Sequence, residues 1–147
     1  MPLRFKVHVD APPEKVFEIV SDLPNHGSWA NPKSGLEVKP VSGGPTTVGS
    51  TFKSTQRFAR QNTGADITVK EVAAPTKLVF DAMQSGNKKA VNFTNTFTLT
   101  PENGGTLVER AIDADPSSPI AILVYPAIRM DAMKALRRLK EKAEGRA

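Results

Sequence analysis

Asn95 is a side-chain amide in the middle of an apolar strand face. From Ala90 to Thr100, Val91, Phe93, Phe97 and Leu99 alternate with Asn92, Thr94, Thr96, Thr98 and Thr100. That is the period-two pattern of a strand with one buried side, and Asn95 falls on the apolar side. Ser50 to Ala59 repeats the motif, with Phe52, Ser54, Gln56 and Phe58 sharing one side. A buried amide without a partner costs ~1–3 kcal/mol. Asn95 and Gln56 therefore need either a satisfied internal network or a wet interior that holds a ligand, and a cavity lining is the reading adopted.

Register supplies a candidate partner. With "PENG" as a four-residue loop, Thr100 pairs with Gly105, Asn95 lies opposite Arg110, and Val108 and Ile112 turn inward. A five-residue loop would turn Glu109 and Asp113 inward beside Phe93 and Phe97, a far worse burial. The shorter loop is expected. The Asn95 carbonyl then accepts from the Arg110 guanidinium, whose remaining donors stay available to Gln56, water or a ligand oxygen.

Other chemistries find little support. The chain has no cysteine, and its two histidines fall on an outward strand position (His8) and in a loop (His26). No spacing suits a metal, and no cofactor is expected. His26 is expected to be exposed. Glu14, Glu18 and Asp22 line the polar face of a helix, where carboxylates are ordinarily solvated. "SGGPTTVG" lacks the lysine of a phosphate loop, and the Asn92-Phe93-Thr94 acceptor sequence lies inside a strand.

The elements that position these residues follow from periodicity. "LRFKVHVD" is a strand with Leu3, Phe5, Val7 and Val9 inward. "APPEKVFEIVSDL" is a helix with a Val16, Phe17, Val20 and Leu23 stripe, and "PNHGSWANP" is turn-rich with room for one short helix. Strands follow at 36–40, 50–59, 65–72, 76–83, 90–100 and 105–114, joined by hairpin-sized "RQNTG", "AAPT", "QSGNK" and "PENG". From Ser118 the pattern is helical, with Ile128, Ala132, Leu136, Leu139 and Ala143 as a stripe. Pro126 cannot donate to the Ile122 carbonyl, so the last helix is expected to begin or bend there, with Ile120 to Tyr125 as a separate turn. All seven phenylalanines fall on inward positions.

With 147 residues the chain is expected to form a single domain over 1–147. No apolar run nears the ~20 residues of a membrane span, so no stable membrane insertion is expected. "MPLRFKVHVD" is unlike a secretory signal, and cytoplasm is the expected location. The net charge is +5, but seven cations against three anions put +4 in the last nineteen residues. No aromatic is interleaved there, so nucleic acid is not expected as a partner.

The opening "VHVDAPPEKVFEIVSDLPNHGSW" resembles the START-like, or SRPBCC, superfamily, which includes the birch-pollen allergen fold and the polyketide cyclase/dehydrase group. The likeness rests on Val7 and Val9, Ala11 to Glu14, Val16 and Phe17, Asp22 and Trp29. "GGTLVER" and the long C-terminal helix extend it over nearly the whole chain. The resemblance implies an α+β helix-grip fold: a curved seven-stranded antiparallel sheet around the C-terminal helix, with one or two short helices between the first two strands. Between sheet and helix it implies a cavity for an apolar small molecule. The residues expected to line it are Trp29, Phe52, Gln56, Phe58, Phe80, Phe93, Asn95, Phe97, Arg110, Tyr125, Met130 and Met133.

Fold alone does not choose the activity. The first expectation is binding of an apolar, amphipathic or aromatic small molecule. The second is a cyclase or dehydratase in which Arg110, Asn95, Gln56 or His26 positions a carbonyl or moves a proton. The inner face offers no clear carboxylate base, which favours binding. The third is a protein-partner module acting through the basic C-terminal helix.

Overall fold

Alternating side chains and short turns produce seven strands in the computed structural model, which describes residues 3–29, 37–41, 46–58, 61–85, 91–114 and 119–145. The order is β1 (Leu3–Val9), α1 (Pro13–Ser21), a 3-10 segment (Leu23–Ser28), β2 (Glu37–Pro40), β3 (Thr51–Phe58), β4 (Gln61–Ala73), β5 (Lys77–Ser85), β6 (Val91–Glu102), β7 (Gly105–Ala114) and α2 (Pro119–Ala143). The strands form one antiparallel sheet, β1-β7-β6-β5-β4-β3-β2. This is the α+β helix-grip arrangement.

Each element buries the side its sequence marks as apolar. Phe5 and Val9, Phe52, Leu78 and Phe80, Phe93 and Phe97, and Val108 and Ile112 turn to the inner face of the sheet. A bulge between Val69 and Glu71 shifts the inward parity of β4, so Ile67 and Val69 are buried before it and Val72 packs inward after it. An extra residue of this kind also bends a strand. In α1, Pro13 occupies the first turn, and Val16, Phe17 and Val20 form the buried stripe. Helix α2 lies along β1 and buries Ala132, Ala135, Leu136, Leu139 and Ala143.

Three expectations are corrected. Helix α2 runs unbroken from Pro119 through Pro126, so Ile120 to Tyr125 is not a separate turn. The proline removes one N–H and costs ~3 kcal/mol in a helix interior. Each buried leucine of the stripe contributes ~1.5–3 kcal/mol, enough to hold the helix together. The residues of "RQNTG" from Gln61 onward are paired strand rather than loop, with Phe58 opposite Gln61. Finally, the β6–β7 turn is two residues, with Glu102 opposite Gly105. Asn103 (φ 47°) and Gly104 (φ 76°) take the left-handed conformations that the tight hairpin turn demands. Phe97, rather than Asn95, is therefore Arg110's register partner, and Asn95 faces Ile112.

Candidate functional site

The two-residue change in register leaves every inward side chain on its face, because the side-chain period is two. Asn95 is buried, and Arg110, one diagonal step away, donates from Nη2 to Asn95 Oδ1 at 3.0 Å. The guanidinium lies over the Phe97 ring, with Cζ 5.2 Å from its centroid, a cation–π placement. Burial lowers the Arg110 pKa to about 10, so the group is charged at neutral pH. Its Nε is wholly buried and has no hydrogen-bond partner among the described residues.

Four rings close a circuit beside this pair. His26 packs on Trp29 (centroids 4.7 Å), Trp29 meets Phe97 edge-on (6.3 Å), Phe97 stacks on Phe80 (6.3 Å), and Phe80 meets His26 (6.2 Å). Offset and edge contacts at these separations are the favoured aromatic geometries. The 3-10 segment after α1 and the residue that caps it, Trp29, deliver two of the four rings. Side chains three apart eclipse in a 3-10 helix, and Leu23, His26 and Trp29 are all buried. Trp29 Nε1, like Arg110 Nε, is a buried donor with no partner among the described residues.

His26 corrects the expectation of an exposed loop residue. It is 6% exposed, and its Nε2 lies 2.6 Å from the Val20 carbonyl. A carbonyl only accepts, so Nε2 carries the proton and Nδ1 is the unprotonated nitrogen. Burial lowers the pKa to about 4, the nearby Arg110 and Lys142 cations adding to it, and the imidazole is neutral at pH 7. The signal for it was the Leu-x-x-His-x-x-Trp spacing.

Trp29, Phe80, Asn95, Phe97 and Arg110 are therefore brought together, with Phe93 and Phe52 buried on the same inner face. Met130 and Met133 are not: they are 60% and 52% exposed, which corrects the expectation that they close the interior. Helical spacing from Ala132, Leu136 and Leu139 turns both outward. The side chains of Gln56, Phe58 and Tyr125 lie outside the described residues. Thr106, which sequence periodicity does not single out, is fully buried and donates to the Ala11 carbonyl at 2.8 Å, tying β7 to the turn before α1.

A groove of about 230 Å³ on the sheet's outer face runs past Arg4, Thr94, Thr96, Thr98 and Glu109. Two of its charged members engage each other, Arg4 with Glu109 at 3.1 Å, and Thr94 donates to Asp81 at 2.8 Å. Among the described residues no group of three or more His, Asp or Glu is placed to hold a metal ion. No helix there is long and apolar enough to cross a membrane.

Sequence comparison decides the family, since the profile for polyketide cyclase / dehydrase and lipid transport matches residues 3–144. The chain belongs to that family. No curated protein sequence matches it significantly. Solved structures share the fold of this family member at low identity. Protein CV1439 from Chromobacterium violaceum superposes with a TM-score of 0.79 at 18% identity, over 97% of this chain and 96% of that one. TTHA0849 from Thermus thermophilus gives 0.76 at 16%, over 99% and 98%. Ara h 8.0201 gives 0.72 at 12%, over 99% and 98%. These likenesses show the fold alone, the seven-stranded antiparallel sheet with its long C-terminal helix.

Proposed function

We propose that the protein binds an apolar or amphipathic small molecule between the sheet and α2, with Asn95 and Arg110 as the polar end of an aromatic-walled site. The supporting observation is the Arg110–Asn95 hydrogen bond set among Phe80, Phe97 and Trp29 while Trp29 Nε1 and Arg110 Nε have no acceptor among the described residues. Sites for small molecules are mostly apolar with a few placed polar groups, and this one has that composition. Phe52 and Phe93 extend the apolar wall in this reading, with Gln56, Phe58 and Tyr125 as further candidates. The test is native mass spectrometry of protein purified from its own host, together with uptake of fluorescent apolar probes. A retained lipophilic or aromatic mass is expected; no bound mass and no probe uptake would sink the proposal.

A second reading, a cyclase or dehydratase, has His26 in its favour. The neutral imidazole is held by the Val20 carbonyl in the tautomer that leaves Nδ1 able to take a proton. Arg110 would then stabilise the enolate oxygen that forms as the proton leaves. Loss of turnover in His26→Gln with retained binding of the native molecule would select this reading over simple carriage.

A further inference from the structure

We infer that the molecule held at the Arg110 end carries a carboxylate, an inference that rests on the binding reading above. The reason is charge. Arg110 makes no ion pair among the described residues, and the polar partner of its guanidinium is a neutral amide. The titratable groups felt at neighbouring His26 do not supply a buried counter-charge: Asp22 is exposed, Lys142 is itself a cation, and His26 is neutral. A half-buried cation with no anion beside it lacks its best partner however well it is stacked.

The orphan donors sharpen the choice. Trp29 and Arg110 both flank the Phe97 ring, at 6.3 Å and 5.2 Å. Each has one fully buried N–H with no acceptor among the described residues. A neutral carbonyl could satisfy a donor and still leave the guanidinium uncompensated. A carboxylate offers two oxygens of several lone pairs each and the missing charge, in the planar geometry a guanidinium fork matches. An aromatic or aliphatic monoacid thus fits both the wall and the head of the site.

The experiment measures displacement of N-phenyl-1-naphthylamine at pH 7 by matched pairs: dodecanoate against dodecan-1-ol, and 2-naphthoate against 2-naphthylmethanol. The acid of at least one pair should compete about tenfold better than its alcohol, the margin of a charge-assisted pair. Arg110→Met should erase that margin while the alcohol's affinity holds. Because Arg110→Met alters a buried site, Asn95→Asp is the companion: an internal carboxylate beside Arg110 should erase the same margin without removing the cation. Equal competition by acid and alcohol in the wild type overturns the carboxylate and leaves the binding reading standing. Failure of the naphthylamine and all four compounds to bind overturns both.

Discussion

Arg110 reaches diagonally past its register partner Phe97 to donate to Asn95 Oδ1, so one guanidinium both covers the ring and satisfies the buried amide. Asn95→Leu keeps the branched shape of the side chain but leaves the guanidinium without its acceptor. Stability should fall by about 1–3 kcal/mol, the cost of an orphaned buried polar group. Urea unfolding at pH 7 measures it, and an unchanged midpoint would show that the bond carries no weight.

The neutral, buried His26 makes stability fall in acid. Its pKa is about 4 in the fold against 6.5 for the free side chain. The unfolded chain therefore takes up the proton first, and the contribution of His26, complete above pH 6.5, is lost as the pH falls toward 4. The full effect is about 3 kcal/mol. Urea midpoints from pH 7.5 to 4.5 should fall more steeply for the wild type than for His26→Gln. Parallel curves would contradict the assignment.

The β6–β7 turn separates two kinds of glycine. Gly104 has open space around it but a φ of 76°, so Gly104→Ala should cost about 1 kcal/mol through the backbone alone. At Gly105 a Cβ would collide with the Val9 carbonyl, a rigid backbone atom. Gly105→Ala should cost clearly more, and thermal melts of the two variants should rank in that order.

The two faces of α2 should respond oppositely. Met130→Ser and Met133→Ser sit on the exposed side and should shift stability by less than about 0.5 kcal/mol. Leu139→Ala, fully buried, should cost about 2–5 kcal/mol. A large loss from either methionine would return it to the interior.

Much of this was legible in the chain. Asn95 and Arg110 read as inward and joined because a two-residue slip restores every face; the loop itself was misjudged, although Asn103-Gly104 is a strong local hairpin signal. The α1 stripe was plain from its spacing. His26 was not, because three-residue periodicity inside "LPNHGSW" is hidden by turn-forming residues, and burial there comes from Trp29 and Phe80, the latter more than fifty positions away. Met130 and Met133 were misplaced by residue type when the stripe of Ala132, Leu136 and Leu139 already pointed elsewhere. Pro126 shows tertiary packing overriding a local penalty.

The strand order also sets a schedule for synthesis. Every neighbouring pair in the sheet is consecutive in sequence except β1 and β7, where Leu3 meets Ile112 and Val9 meets Thr106. Strands β2 to β7 can zip up in turn as they leave the ribosome, each closing a short loop. Strand β1 emerges first and waits for the last, so its closure carries the longest loop entropy in the molecule. Until then Phe5 and Val9 have no ladder to join, and the edge of β7 lies open to any strand that finds it. Until β1 docks, that edge is an exposed ladder, and the finished sheet covers it.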